Sequence, residues 1–365
     1  MSIILFIIIL GGLILIHEFG HFILAKRAGI RVDEFGIGFP PRLFRLFKKG
    51  ETEYTINIIP FGGFVKIFGE NPTDDACAEG PDKKRSFVHK SRLTQAAVIG
   101  AGIFMNVITG WILLSIIFAV GFSTSTELYP DRTLENIAIT VTEVLKKSPA
   151  AEAGFKDGDI LNGISVPGVP VSPITSVEMV QEYISTHGSG AITLDVSRDK
   201  QAVQLTVVPK DGIVDGKKAI GIAMDEMGFL QFPIHEALWQ GALMTIDFIR
   251  QIALGLGTLM YQAIIGTADY SQVTGPVGIV GIVDDVAALG FLYVLRFAAI
   301  ISINLAVLNL LPFPALDGGR LFFLLIEAIC RKPLPPRFVV MANTVGFVLL
   351  ILLMVAITWK DIAAL

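Results

Sequence analysis

The chain has 365 residues, of which 53% are hydrophobic and 17% charged, with a net charge of −4. A soluble globular domain averages about 25% charged residues, so this composition excludes an ordinary soluble enzyme, and the slightly acidic balance offers nothing to nucleic acid. Two cysteines, Cys77 and Cys330, lie far apart and suggest neither a disulfide framework nor a CxxC metal site.

The mean hydropathy of +0.66 comes from apolar blocks, several of which run about 20 residues or more without a charge, the length that crosses a bilayer as a helix. The first block is Ser2–Ala25. It has no basic residue before Lys26 and no small-residue cleavage site, so it reads as a retained span rather than a signal peptide. Residues Glu51–Glu70, "ETEYTINIIPFGGFVKIFGE", follow. Their alternation around Pro60, Gly62 and Gly63 predicts a β-hairpin. The second span lies within Leu93–Thr126, which is free of charge.

An insert over 127–227 reads as a soluble domain. "AITVTEVL", "AITLDVS" and "AVQLTVVP" alternate like half-buried strands, and "SVEMVQEYI" has helical spacing. The segment Ile234–Ile265 is apolar but carries His235, Glu236, Asp247 and Arg250. It reads as an amphipathic helix at the membrane rather than a fifth span. The last spans are Phe291–Leu311 and Met341–Trp359.

Orientation follows from the basic residues of the loops. Residues 26–92 hold 13 basic and 9 acidic residues, whereas 127–290 hold 10 and 20. The link 312–340 adds Arg320, Arg331, Lys332 and Arg337. The first and third connections are therefore placed in the cytoplasm and the insert outside.

The first span contains "HEFGH", His17–His21. Positions i and i+4 share one helix face. Two imidazoles there can bind one zinc, and Glu18 beside them can act as a general base on water and then as a proton donor to a leaving amine. HExxH alone is a weak signal. Inside a span it gains weight, because each ionisable group there costs on the order of 2.5–3.5 kcal/mol. The bland alternative is a polar cluster that holds helices together.

A catalytic zinc needs a third protein ligand. His89, His187 and His235 are poorly placed for it. Asp317 in "NLAVLNLLPFPALDGGR", Asn304–Arg320, is the better candidate. Pro312 and Pro314 break the helix, and Gly318 and Gly319 permit close backbone approach. Depth agrees, since His21 is about 7 Å of helix rise from Lys26. The alternative role for Asp317 is to cap a helix starting near Gly319. Asn309, near the end of its span, can hydrogen-bond an exposed substrate backbone or a neighbouring helix.

Two resemblances follow from these motifs. "KKSPAAEAGFKDGDILNGI", with Ala153–Leu161 at its heart, resembles the PDZ domains of bacterial membrane and periplasmic proteases. HExxH together with N-x-x-P-x-P-x-x-L-D-G resembles the site-2 protease family of intramembrane metalloproteases, in the single-PDZ layout of its bacterial regulator of sigma-E protease branch. "GIGF" (Gly36–Phe39), "GIFMN" (Gly102–Asn106) and "TGPVGI" (Thr274–Ile279) extend the match along the chain. The resemblance implies a zinc enzyme with His17, His21 and Asp317 as ligands and Glu18 as the catalytic base. It implies that Asn309 and Pro312 lie near the substrate path.

The expected fold is a multi-pass α-helical membrane protein with about four transmembrane helices, a cytoplasmic membrane-associated β-hairpin and an extracytoplasmic α+β PDZ-like domain. The expected divisions are 1–126, 127–227, 228–290 and 291–365. The expected function is hydrolysis of a peptide bond in or near a transmembrane segment of a single-pass substrate, such as an anti-sigma factor or a signal-peptide remnant, already cut by an extracytoplasmic protease. The location implied is the bacterial inner membrane. A lipid-buried helix must unwind to be cut, and the hairpin, with Ile58, Gly62, Gly63 and Val65, would add the unwound substrate as a strand. The alternatives are an ion or proton transporter and a zinc-stabilised scaffold without activity.

Overall fold

A computed structural model describes residues 2–70, 82–187, 190–198, 201–214, 217–267 and 274–363; Cys77 lies outside them. The chain divides into two units, one formed by 1–117 with 233–365 and the other by 118–232.

The first unit opens with helix α1, Ser2–Arg27. Its apolar run carries the helix, Lys26 and Arg27 suit the negative end of its dipole, and Gly29 (φ +66) ends it in the left-handed conformation. Strands β1 (Val32–Lys49) and β2 (Thr52–Ile67) follow as one long ribbon that turns at Gly50. Glu34, Phe35, Gly36 and Ile37 each face two β2 partners: Lys66 and Glu53, Val65 and Tyr54, Phe64 and Thr55, Gly63 and Ile56. The ribbon is thus doubled back on itself. Gly38 (φ +80) and Gly62 (φ +79) allow the bend, and Asn57 Nδ2 donates to Gly38 O at 3.0 Å to hold it.

This corrects the hairpin expected within Glu51–Glu70. Pro60–Gly63 is a bend inside β2, and the partner strand begins at Val32. Strand β1 escapes sequence reading because Pro40 and Pro41 interrupt it and its alternation is poor.

Helix α2 spans Arg92–Val120. It meets α1 closely: a Cβ on Gly20 would lie 2.5 Å from Ala101 O. Small residues at such a crossing let two membrane helices pack backbone to backbone.

The second unit holds β3 (Phe122–Ser125), β4 (Glu135–Val144), α3 (Pro149–Ala153), β5 (Ile160–Ser165), β6 (Ser172–Pro173), α4 (Val177–His187), β7 (Ile192–Arg198), β8 (Gln201–Val207), β9 (Lys210–Val214), β10 (Lys217–Ala219) and β11 (Ile222–Leu230). The main sheet runs β3-β11-β4-β5-β7-β8, with β6 on β5. Val141, Ile164, Val180, Ile192 and Leu194 fill its core. Strand β3 pairs only with Met227–Leu230, which leaves the other edge of Ile222–Glu226 without a strand among the described residues. A groove of about 540 Å³ runs there, lined by Ile222 and Met224 on one side and Glu178 and Glu182 of α4 on the other.

The first unit resumes with α5 (Ile234–Ile264), α6 (Pro276–Leu289), α7 (Phe291–Leu310), α8 (Asp317–Cys330) and α9 (Pro336–Ala363). Thr274–Ile279 opens α6. Asp361, near the end of α9, accepts from Gly275 N (3.3 Å) and Gly278 N (2.8 Å) and so caps it. Five described helices, α1, α2, α5, α7 and α9, are long and apolar enough to cross a membrane. The fifth is α5, whose charges had suggested a surface helix.

One buried ion pair anchors the second unit. Asp159 is 1% exposed and receives Arg198 Nε and Nη2, both at 2.7 Å, and Lys156 N at 2.9 Å. Arg198→Ala leaves that carboxylate buried without its cation. We expect a loss of about 3–5 kcal/mol of local stability, read as faster amide hydrogen exchange across β5 and β7 in the full chain.

Candidate active site

Three donor atoms from two distant segments converge. His17 Nε2 lies 3.0 Å from Asp317 Oδ2, His21 Nε2 lies 3.2 Å from the same oxygen, and the two Nε2 atoms are 3.1 Å apart. Helical spacing delivers the imidazoles. Both are buried, at 7% and 9% exposure.

The turn before α8 delivers the carboxylate. Pro312 and Pro314 end α7, and Ala315 sits in the left-handed region at φ +75, a strained conformation for a residue with a side chain. Its N–H donates to Asn343 Oδ1 of α9 at 3.2 Å. Gly318 and Gly319 pack so closely under the Leu310–Leu311 and Phe313 backbone that no Cβ fits. Helix α8 starts at Asp317 itself, its N-cap is Leu316, and no side chain caps it. Asp317 therefore does not serve as the helix cap that was the alternative.

The donor set suits zinc. Zinc bonds of about 2.0–2.1 Å to nitrogen and oxygen imply tetrahedral ligand–ligand edges of roughly 3.3 Å, close to the three separations observed. Space is kept free in front of them. A Cβ on Gly102 of α2 would lie 2.5 Å from His21 Nε2 and 2.7 Å from His17 Nε2. The other ring nitrogens bind α2. His21 Nδ1 donates to Val98 O at 2.8 Å, which leaves its Nε2 as a lone pair for metal. His17 Nδ1 faces the Asn106 amide at 3.3 Å.

Glu18 stands outside this cluster. It lines a cavity of about 210 Å³ with His21, Asp317, Val65, Phe64 and Arg320. The cavity adjoins a larger one of about 680 Å³ bounded by α8 and α9, the two sharing Glu70, Phe87, Ile99 and Arg320. Arg320 is ion-paired with Glu70, so α8 is tied to the end of the ribbon.

The structure separates the remaining sequence candidates. Val65 lines the cavity. Gly62 and Gly63 dock the ribbon on α1, against Ile14 and Leu15. Ile58 is 55% exposed, just ahead of the bend, and does not line the cavity. Asn309 is half-buried at the end of α7 and Pro312 is exposed; neither lines the cavity. Sequence reasoning missed the Val98 carbonyl, the Arg320–Glu70 pair and the roles of Gly102 and Asn106. The last two entered only as the ends of the GIFMN match in the second span.

Comparison with known proteins gives a consistent picture. The sequence profile of peptidase family M50 matches residues 5–353. A Clostridium perfringens protein provisionally named a zinc metalloprotease is 36% identical over 366 residues, 99% of this chain and 98% of its own. The regulator of sigma-W protease RasP of Bacillus subtilis is 30% identical over 439 aligned positions, covering 99% of this chain and 98% of its own. The zinc metalloprotease RasP of Geobacillus kaustophilus is 31% identical, with 99% and 97% covered. A profile that spans nearly the whole sequence, and relatives that align end to end, place this chain in peptidase family M50, the zinc-dependent metalloendopeptidases of the site-2 protease type that act in membranes.

Proposed function

We propose that His17, His21 and Asp317 hold the zinc, that Glu18 is the catalytic base, and that the substrate is a single-pass membrane protein cut in or near its transmembrane segment. The observation that carries this reading is the shared cavity wall. Glu18 opens on the same space as His21 and Asp317 yet belongs to no part of the three-donor cluster. A purely structural metal site has no use for a free carboxylate there, and the peptidase profile along residues 5–353 favours hydrolysis over transport.

When bound, zinc supplies a Lewis acid and makes water nucleophilic near neutral pH. Glu18 would take a proton from the attacking water and later return it to the leaving amine nitrogen. His21 is held by Val98 O throughout, so its ring needs no reorganisation during the reaction. The strand segment Gly63–Ile67 pairs with β1 along one edge, and no other strand covers its second edge among the described residues. We assign that edge as the place where an unwound substrate pairs, because Phe64, Val65 and Ile67 border the cavity. Substrate contact by Gly62, Gly63 and Ile58 is then indirect, through the bend that presents this edge.

The basic first loop supports a cytoplasmic ribbon and active site in a bacterial inner membrane, with 118–232 outside. The PDZ-like reading of that unit supports a role in admitting substrates already trimmed there. The name of the Bacillus subtilis relative supports a substrate of the anti-sigma-factor kind.

Three outcomes test this reading. Glu18→Gln should retain zinc by elemental analysis and lose at least 10²-fold in cleavage of a membrane-anchored reporter; unchanged cleavage refutes the role of Glu18. Val65→Pro should lose cleavage with zinc intact, while Ile58→Pro retains most of it. Equal activity of Val65→Pro and wild type sinks the strand-addition model. Deleting 127–227 should permit cleavage of an untrimmed reporter, and a persistent need for trimming would refute the selection role.

A further inference from the structure

Asn106 is wholly buried, at 0% exposure, in the middle of an apolar helix. Such a side chain is costly unless its amide is used. Its backbone is fixed, because Ser302 of α7 donates to Asn106 O at 2.8 Å. One end of the amide faces His17 Nδ1 at 3.3 Å, and Oδ1 has no hydrogen-bond partner. A half-turn about the Cβ–Cγ bond exchanges the two ends. The proton on His17 decides which end faces the ring. If Nε2 carries it, Nδ1 accepts from the amide NH2. If Nδ1 carries it, only the amide oxygen can receive it.

Zinc binding settles the choice. His17 Nε2 points at His21 Nε2 and Asp317 Oδ2, so a metal shared by the three must take the Nε2 lone pair. The proton then sits on Nδ1 and needs an acceptor. Among the described residues Asn106 is the hydrogen-bonding neighbour of Nδ1, just as Val98 O serves His21. We infer that Asn106 is a positioning residue that presents its carbonyl oxygen to His17 Nδ1–H and so holds His17 in the tautomer that binds zinc. It touches neither substrate nor reacting atoms. The inference rests on the proposed ligand set, and it gives Gly102 and Asn106, one helical turn apart, a joint purpose: one clears the space for the metal and the other prepares a ligand.

The test is zinc affinity of the full chain in detergent, by competition with a chromophoric chelator, for wild type, Asn106→Leu, Asn106→Asp and Asp317→Ala. Asn106→Leu keeps the bulk and removes the acceptor, and should bind zinc about 10–100-fold more weakly. Asn106→Asp can only accept, and should bind as tightly as wild type or more tightly. Wild-type affinity in the Leu variant overturns the inference. So does an Asp variant weakened as much as Leu, which would mark the amide as a donor or a packing group. If the Leu variant is not recovered folded, the Asp variant decides alone. Asp317→Ala separates the two levels: unchanged affinity there refutes the ligand set itself, whereas a loss there with an unaffected Leu variant refutes only the role of Asn106.

Discussion

An ionisable side chain inside an apolar helix must find every hydrogen-bond partner within the protein, because lipid offers none. Much of the first unit follows from meeting that demand for His17 and His21. Each ring has two nitrogens. One pair meets at Asp317, and the other pair is spent on α2, on Val98 O and on Asn106. Helix α2 must therefore run against α1 at backbone distance, which explains the absence of side chains at Gly20 and Gly102. The carboxylate must arrive from a third segment at the same depth. A straight continuation of α7 could not bring it there. The proline break, the left-handed Ala315 and the two tightly packed glycines form the short turn that can. The strain at Ala315 is held by Asn343, in keeping with a conformation imposed by its surroundings rather than chosen by the residue.

The parts legible in the sequence are those with a local period. His17 and His21 announce themselves by spacing, and the strands around Ala138, Ile192 and Ala202 by alternation. Asp317 was legible through local chemistry as well, since proline and glycine around a single acid describe a turn. Non-local pairing was not legible. The ribbon partner of Val65 is Phe35, thirty residues earlier and just before a Pro-Pro interruption, and no window of sequence links the two. The partners of the histidine rings were hidden for a related reason. The acceptor for His21 is a backbone carbonyl, and every residue has one, so Val98 leaves no trace in the amino-acid code. Helix α5 is a different case. His235, Glu236, Asp247 and Arg250 lower its apolar character without shortening it, and composition alone does not separate a span from a surface helix in such a segment.

Helix α1 does more than carry His17 and His21. Ile14 and Leu15 receive the ribbon at Gly62 and Gly63, and His17 and Glu18 follow within one turn. The ribbon edge assigned to the substrate and the base assigned to the chemistry are therefore both referenced to the same rigid rod, roughly 1.5 Å of rise per residue apart. Glycine at 62 and 63 makes this possible: a Cβ at 62 would lie 2.8 Å from Ile14 of α1, and one at 63 would crowd Gly36 O of β1 at 2.9 Å and Leu15 of α1 at 3.0 Å. The Glu70–Arg320 pair closes the arrangement from the other end. It ties the last residue of the described ribbon segment to the helix that begins with Asp317. A strand fixed at one end to the helix bearing Glu18 and at the other to the helix bearing Asp317 has little freedom to slide. Positioning of this kind is where much of the rate of a hydrolytic site originates, because a misplacement of about 1 Å can cost 10²-fold. On this reading the glycines of the bend and the ion pair at Glu70 belong to the catalytic design as fully as the HExxH residues, although none of them touches the reacting atoms.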